Sequence, residues 1–207
     1  MRRHRVQGLA ARALERHASS PPAQIAKEMV AEARSVGIAN LHSAAESMRL
    51  LRTFKDASVS LLFVKGLTLS ALVYGDPFVK MSSDIDILVE RDAVEGAARI
   101  LGKLGYRLST PAVGGLSALS KWHAQYKESV WHNPEKDLLV ELHTRLADNP
   151  ALIPRIGMDS PCQLVAIGAH GALPTLTPDD LFAYLSVHGA SSAWFRAVRG
   201  TRAPRTV

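Results

Sequence analysis

The stretch that decides the fold is "KMSSDIDILVE", residues 80–90. Ile85, Ile87, Leu88 and Val89 make it read as a buried strand over about 84–90, yet Asp84 and Asp86 lie inside it. Residues two apart on a strand project from the same face, so the two carboxylates stand side by side. Close carboxylates repel unless something positive lies between them. A second acidic strand, "LLVELH" (138–143), carries Glu141 among apolar neighbours, on the same face as Leu139 and His143. A buried lone glutamate is costly without a partner. If the two strands are neighbours, all three carboxylates converge, and a hard divalent cation with oxygen ligands resolves both difficulties. Mg²⁺ suits such a place, because it takes one or two carboxylates, keeps waters and is completed by substrate phosphates. A plainer set of pairings stays open: Asp84 capping a turn, Asp86 paired with Lys80 or Arg91, and Glu141 paired with Lys136.

Working outward, "VSLLFVK" (59–65) is a short apolar run that suits a buried strand and turns at Gly66 into "LTLSALVYG" (67–75), a two-turn helix stopped by Gly75, Asp76 and Pro77. Free backbone N–H groups at such a turn attract anions, and glycine lets a phosphate approach the backbone closely. Lys65 stands beside it. Upstream, residues 5–18 and 23–55 have helical spacing, with "SSPP" (19–22) between them and "SVGIAN" (35–40) expected to break the second. Downstream, Asp92 is the expected cap of a helix over 93–104 that stops at Gly105. "YRLST" (106–110) reads as a strand and "PAVGGLSAL" (111–119) as a loop. "HAQYKESVW" and "DLLVELHTRL" flank "HNPEKD" as a hairpin. "CQLVAIGAHGALPTL" (162–176) suggests a smaller hairpin, and "TPDDLFAYLSVHGA" (177–190) a helix with Thr177 as cap and Pro178 at its first position.

The 207 residues are 47% hydrophobic and 21% charged, ordinary globular composition with material for a core. The single cysteine, Cys162, excludes an internal disulfide and a cysteine-based zinc cluster and fits a reducing compartment. No apolar run approaches the roughly 20 residues of a membrane span, and the basic N-terminus lacks the apolar segment of a signal peptide. A cytoplasmic location with no membrane partner is the expectation. The net charge of +6 belongs to the ends. Arg2, Arg3, Arg5, Arg12 and Arg16 precede residue 18, and Arg196, Arg199, Arg202 and Arg205 close the chain, while the body between is slightly acidic. A nucleic-acid partner held through these ends is a minor reading, because no aromatic residues interleave with the arginines.

Taken together, Lys65-Gly66, Tyr74-Gly75-Asp76-Pro77, Asp84-Ile85-Asp86-Ile87-Leu88-Val89, Val140-Glu141-Leu142-His143 and His188-Gly189-Ala190 follow one another in a familiar order. Over residues 60–195 the chain resembles the nucleotidyltransferase superfamily with the polymerase-β-like fold, and within it the bacterial branch of uncharacterised nucleotidyltransferases. The resemblance implies an α/β (α+β) protein: a helical N-terminal segment (1–56), a nucleotidyltransferase core with a mixed sheet (57–147), and a small C-terminal helical extension (148–207) whose tail from about 195 is expected to lack order. It implies that Asp84 and Asp86 bind two Mg²⁺ ions, that Glu141 completes the second metal site and helps take a proton, and that all three are catalytic. Lys65, Gly66, Lys80, Ser82 and Ser83 become the nucleotide-binding set. The implied reaction moves an NMP group from an NTP, ATP among them, to a hydroxyl of a small molecule, protein or RNA, releasing pyrophosphate.

Two departures stand out. Leu67 follows Gly66 where the wider superfamily carries serine or glycine, a feature common in this branch, and Lys80 stands where the branch usually carries arginine. With the altered C-terminal end, they keep a second reading in play, a non-catalytic nucleotide-binding or partner-binding protein of the same fold. Trp122, His123, Trp131 and His132 are expected mainly as hairpin packing, with a base or acceptor pocket as the alternative. Asp86→Asn is expected to leave the fold intact, on the ground that it relieves repulsion within the aspartate pair.

Overall fold

The structure, a computed structural model, describes residues 6–16 and 21–200. Helix α1 (Gln7–Arg16) and helix α2 (Ala23–Asp56) precede a five-stranded sheet. The sheet is built from β1 (Leu62–Phe63), β2 (Asp84–Leu88), β3 (Arg107–Thr110), β4 (Glu128–Asn133) and β5 (Leu138–His143), in the order β1-β2-β5-β4-β3. Strand β2 runs parallel to β5, and the other neighbours are antiparallel, giving the mixed sheet expected. Helix α3 (Leu67–Tyr74) joins β1 to β2, and α4 (Val94–Lys103) and α5 (Leu116–Gln125) lie in the long crossover from β2 to β5. A separate hairpin, β6 (Cys162–Ala166) and β7 (Ala172–Leu176), leads into the closing helix α6 (Pro178–Gly200).

The sheet separates two apolar clusters. Ile85, Ile87, Val140, Leu142 and Trp131 project into the larger one, where they meet Leu50 and Phe54 of α2, Val94 and Leu101 of α4, and Leu119 of α5. Leu88 faces the other way, toward Val64, Leu176, Leu181 and Tyr184 beneath α6. Alternation along β2 therefore puts Ile85 and Ile87 in the large core and leaves Asp84 and Asp86 on the α6 face. That assignment positions everything at the site.

Three sequence expectations are corrected. "SVGIAN" does not break α2, which runs unbroken for 34 residues. A glycine in a helix costs about 1 kcal/mol, but Gly37 is flanked by Val36 and Asn40, both buried, so tertiary packing holds the helix across it. "PAVGGLSAL" is not all loop, because α5 starts at Leu116 and takes in the beginning of the expected strand "HAQYKESVW". Leu119 and His123 are its buried residues, one helical turn apart. Asp92 does not cap α4 but lies in a 3₁₀ turn (Arg91–Ala93) ahead of it, with no side-chain cap. At the far end, α6 continues through residues 195–200 of the expected tail, and residues 201–207 lie outside the described residues.

Helix α2 braces the sheet through Glu46, which is 3% exposed. The Arg49 guanidinium grips both its oxygens at 2.6 and 3.0 Å, the Tyr106 hydroxyl donates at 2.9 Å, and the Lys136 ammonium lies at 2.5 Å. Burial opposes the carboxylate charge, but these donors outweigh it and hold its pKa below the usual range. Arg49 and Asn133 also both donate to the Leu104 carbonyl, tying the end of α4 to the β4–β5 turn. Glu46→Ala removes the shared acceptor of Arg49, Lys136 and Tyr106 and is expected to cost about 1.5–3 kcal/mol in a urea unfolding curve. A loss below about 1 kcal/mol would show that the network is an ordinary surface pair.

His123 is 1% exposed and packs behind the site, with Nδ1 at 3.2 Å from Thr144 Oγ1 and Nε2 at 2.9 Å from Ser129 Oγ. The Trp131 indole N–H donates to Ser129 Oγ, which leaves Nε2 as the hydrogen-bonded neighbour able to accept the serine proton. Burial, with the neighbouring cations, pushes its pKa down to about 4. Between that value and the ordinary 6.5 the unfolded chain binds a proton that the folded chain does not. Stability is therefore expected to fall by about 2 kcal/mol from pH 7 to pH 4.5, and His123→Asn should flatten that decline. An equally steep decline in the variant would assign it to other groups.

Candidate active site

In the parallel pairing of β2 with β5, Asp86 stands opposite Glu141 and Leu88 opposite His143. Paired residues share a face of the sheet, so Asp84, Asp86, Glu141 and His143 all point toward α6. Asp86 is 3% exposed and His143 fully buried, while Glu141 and Asp84 are partly exposed. Ligand atoms of Asp86, Glu141 and His143 lie within 4.8 Å of one another. Asp84 lines the same cavity outside that tight group. The plainer pairings do not form: Lys136 goes to Glu46, and Asp86 pairs with neither Lys80 nor Arg91.

The positive partner of Asp86 is Lys65. Its ammonium lies 2.5 Å from Asp86 Oδ1 and 3.9 Å from Glu141 Oε2. His143 Nε2 sits 3.2 Å from Asp86 Oδ1 and 3.4 Å from Glu141 Oε2. Burial would raise the Asp86 carboxyl, but the His143 hydrogen bond and the Lys65 charge outweigh it and hold the group well below the usual range. Burial likewise works against charge on Lys65 and His143, and the facing carboxylates outweigh it, so both are raised. The expectation that Asp86→Asn spares the fold is overturned. The aspartate is not straining against Asp84; it pairs with the Lys65 ammonium and the His143 ring, and its loss would leave the lysine without its nearest counter-charge.

The turn after β1 is built for close approach. Gly66 has φ +66°, and a Cβ there would lie 3.1 Å from Ser82 Oγ. No side chain caps the start of α3. Leu67 is 5% exposed and turned into the large core, which explains an apolar residue directly after the glycine. Ser82, from the loop before β2, instead brings a hydroxyl beside Gly66 and donates to the Asp84 carbonyl at 2.9 Å. Asn40 of α2 holds that loop, donating to the Phe78 and Lys80 carbonyls at 2.8 and 3.0 Å and accepting from the Ser82 N–H at 3.4 Å. Lys80 and Ser82 line the cavity with Lys65 and Gly66, whereas Ser83 is exposed and does not.

The cavity measures about 430 Å³, and part of its wall escaped the sequence reading. Lys127 and Glu128 form one side, and Leu185 and His188 of α6 another. Glu128 is paired with Lys127 and lies opposite His143 in the β4–β5 register, its Oε2 3.4 Å from His143 Nδ1. Burial opposes the Glu128 charge, but Lys127 and His143 lower its pKa. The hairpin register is the signal that would have found it: Asn133 pairs with Leu138, so Glu128 must meet His143. Trp122, His123, Trp131 and His132 line no part of this cavity, and their packing role is the one observed. Hard oxygen ligands from Asp86, Glu141 and Asp84 fit a divalent cation of the Mg²⁺ class.

Of the basic ends, Arg12 pairs with Asp76 at 3.6 Å; Arg2, Arg3, Arg5, Arg202 and Arg205 lie outside the described residues. No helix among the described residues is long and apolar enough to cross a membrane.

None of the curated proteins matches this sequence. Two solved structures of one protein are loosely similar. The first is titled "Crystal Structure of ANT(2")-Ia in complex with adenylyl-2"-tobramycin", at 14% identity, covering 78% of this chain and 99% of that one with a TM-score of 0.43. The second is a solution structure of the antibiotic-resistance factor ANT(2'')-Ia, at 14% identity, covering 77% and 93% with a TM-score of 0.41. Likenesses at that level carry no weight for function. The sequence comparison is decisive instead: the family model described as "Uncharacterised nucleotidyltransferase" matches residues 1–201. The chain, with its paired acidic strands and glycine turn, belongs to the uncharacterised nucleotidyltransferase family.

Proposed function

We propose that the protein is a Mg²⁺-dependent enzyme that moves an NMP group from an NTP to a hydroxyl on a small molecule, protein or RNA. The observation that carries this reading is Asp86 facing Glu141 across β2–β5 beside a glycine turn that approaches Ser82, in a chain of a nucleotidyltransferase family. In this reading Asp84, Asp86 and Glu141 hold two metal ions. Bound metal would polarise the α-phosphate and offset charge on the attacking and leaving oxygens.

The chain's own residues then have distinct tasks. The Gly66 turn and the first N–H groups of α3 cradle the β- and γ-phosphates, with Lys65 and Lys80 as further contacts and the Ser82 hydroxyl beside them, able to donate once it turns from the Asp84 carbonyl. Glu141, the more open of the paired carboxylates, takes the acceptor's proton. The acceptor oxygen forms a bond to the α-phosphorus as the α–β bridging bond breaks, and pyrophosphate leaves with the bonding electrons. His143 holds Asp86 and Glu141 in register from behind.

Calorimetric titration with non-hydrolysable NTPs tests the reading. Binding is expected to require Mg²⁺ and to weaken at least about tenfold in Asp84→Ala, the cleaner probe because Asp84 lies outside the buried ion-pair group. Asp86→Asn should abolish metal-dependent binding and also lower stability by about 3 kcal/mol. Nucleotide binding indifferent to both metal and Asp84 would point to the non-catalytic reading, as would no binding at all. At the turn, Gly66→Ala imposes a strained φ and crowds Ser82, at about 1–2 kcal/mol. It should weaken the NTP more than Mg²⁺ binding; unchanged NTP affinity would remove the turn from the phosphate site.

A further inference from the structure

Lys65 stands where two requirements conflict. Its ammonium is paired with Asp86 and reaches Glu141, the carboxylates that the proposed function assigns to metal. Its backbone immediately precedes Gly66, the turn assigned to phosphate. Its side chain is 19% exposed, and the buried Tyr184 of α6 stands within reach of its charge. A divalent cation on Asp86 and Glu141 would compete for the same two carboxylates and would sit against a fixed positive charge. The lysine's flexible four-carbon stem permits another station, and phosphates at Gly66 supply an anionic partner there.

We infer that Lys65 is a resident cation of the carboxylate site which couples metal to nucleotide: metal binds well only when the nucleotide's phosphates draw the ammonium away. The inference rests on reading Asp86 and Glu141 as metal ligands. It makes Lys65 a positioning residue with two stations rather than a fixed phosphate contact. It also requires reciprocity, since metal must strengthen nucleotide binding by the same factor that nucleotide strengthens metal binding.

The test is Mn²⁺ titration of the full chain, with and without a non-hydrolysable NTP. Wild type is expected to bind Mn²⁺ at least about tenfold more weakly alone than with nucleotide. Lys65→Gln should bind Mn²⁺ alone at least about tenfold more tightly than wild type and lose most of the coupling. Lys65→Arg, which keeps the charge, should not gain affinity. A folded Lys65→Gln protein that binds Mn²⁺ no better than wild type overturns the inference. A second measurement needs no variant. Labelling of Lys65 by an amine-acylating reagent, read by mass spectrometry, should be slow in the protein alone and severalfold faster with saturating Mn²⁺; unchanged labelling overturns the inference even where Lys65→Gln fails to fold. Asp86→Asn separates the two claims. Mn²⁺ binding that survives it overturns the metal-ligand assignment itself, whereas Asp86-dependent binding indifferent to Lys65→Gln overturns only the coupling.

Discussion

Strands β2 and β5 bring two carboxylates together, and the buried one, Asp86, is untenable without cations or hydrogen-bond donors close by. The protein supplies them from two directions. Lys65 enters from the end of β1, and His143 comes from β5 itself, two residues beyond Glu141. The sequence of charges continues outward to Glu128 and Lys127 on the adjacent strand. No single pair in this set is self-sufficient. Asp86 meets both Lys65 and His143, and His143 touches both β2 and β5 carboxylates, so the group packs as one unit. The parallel register is what makes this possible, because a slip by one residue would turn the charges into the large core and the isoleucines toward α6.

That register is fixed from outside the site by α2. Through Glu46 the helix holds the β4–β5 turn and the end of α4. Six residues earlier, through Asn40, it holds the loop that delivers Lys80 and Ser82. One rigid element thus sets both the sheet carrying the carboxylates and the loop carrying the hydroxyl beside Gly66. An unbroken helix is the means, since a break at "SVGIAN" would uncouple the two braces.

The acidic strands, the mixed sheet, the glycine turn and the closing helix were legible in the sequence because each writes a local signal: alternation in "DIDILV" and "LLVELH", a φ-permissive glycine after an apolar run, Pro178 at a helix start. What escaped was non-local. Gly37 looks like a breaker until Asn40 is seen to reach residues 78–82, 38 or more positions away. Helix α5 was hidden because Gly114 and Gly115 dominate its beginning and its buried residues are only Leu119 and His123. Glu128 reads as one more polar residue until the hairpin register sets it opposite His143. The partner of Asp86 was missed for a different reason: Lys65 is 21 residues upstream and had already been allotted to phosphate.

Under the proposed function, the distribution of charge would make a metal–nucleotide complex suit this cavity better than either component. Its lining joins four carboxylates, Asp84, Asp86, Glu128 and Glu141, with three lysines, Lys65, Lys80 and Lys127. A bare triphosphate meets the carboxylates with like charge, and a bare dication meets the lysines. The complex presents its metal to the carboxylates and its phosphate oxygens to the lysines, so each repulsion becomes an attraction. A site whose charges are already paired internally gives little to a ligand of one sign, because that ligand must break as much as it makes. A ligand of both signs exchanges the internal pairs for external ones. Selectivity for the complex would then follow from the protein's own salt links, of which Lys65–Asp86 is the most buried between a lysine and a carboxylate.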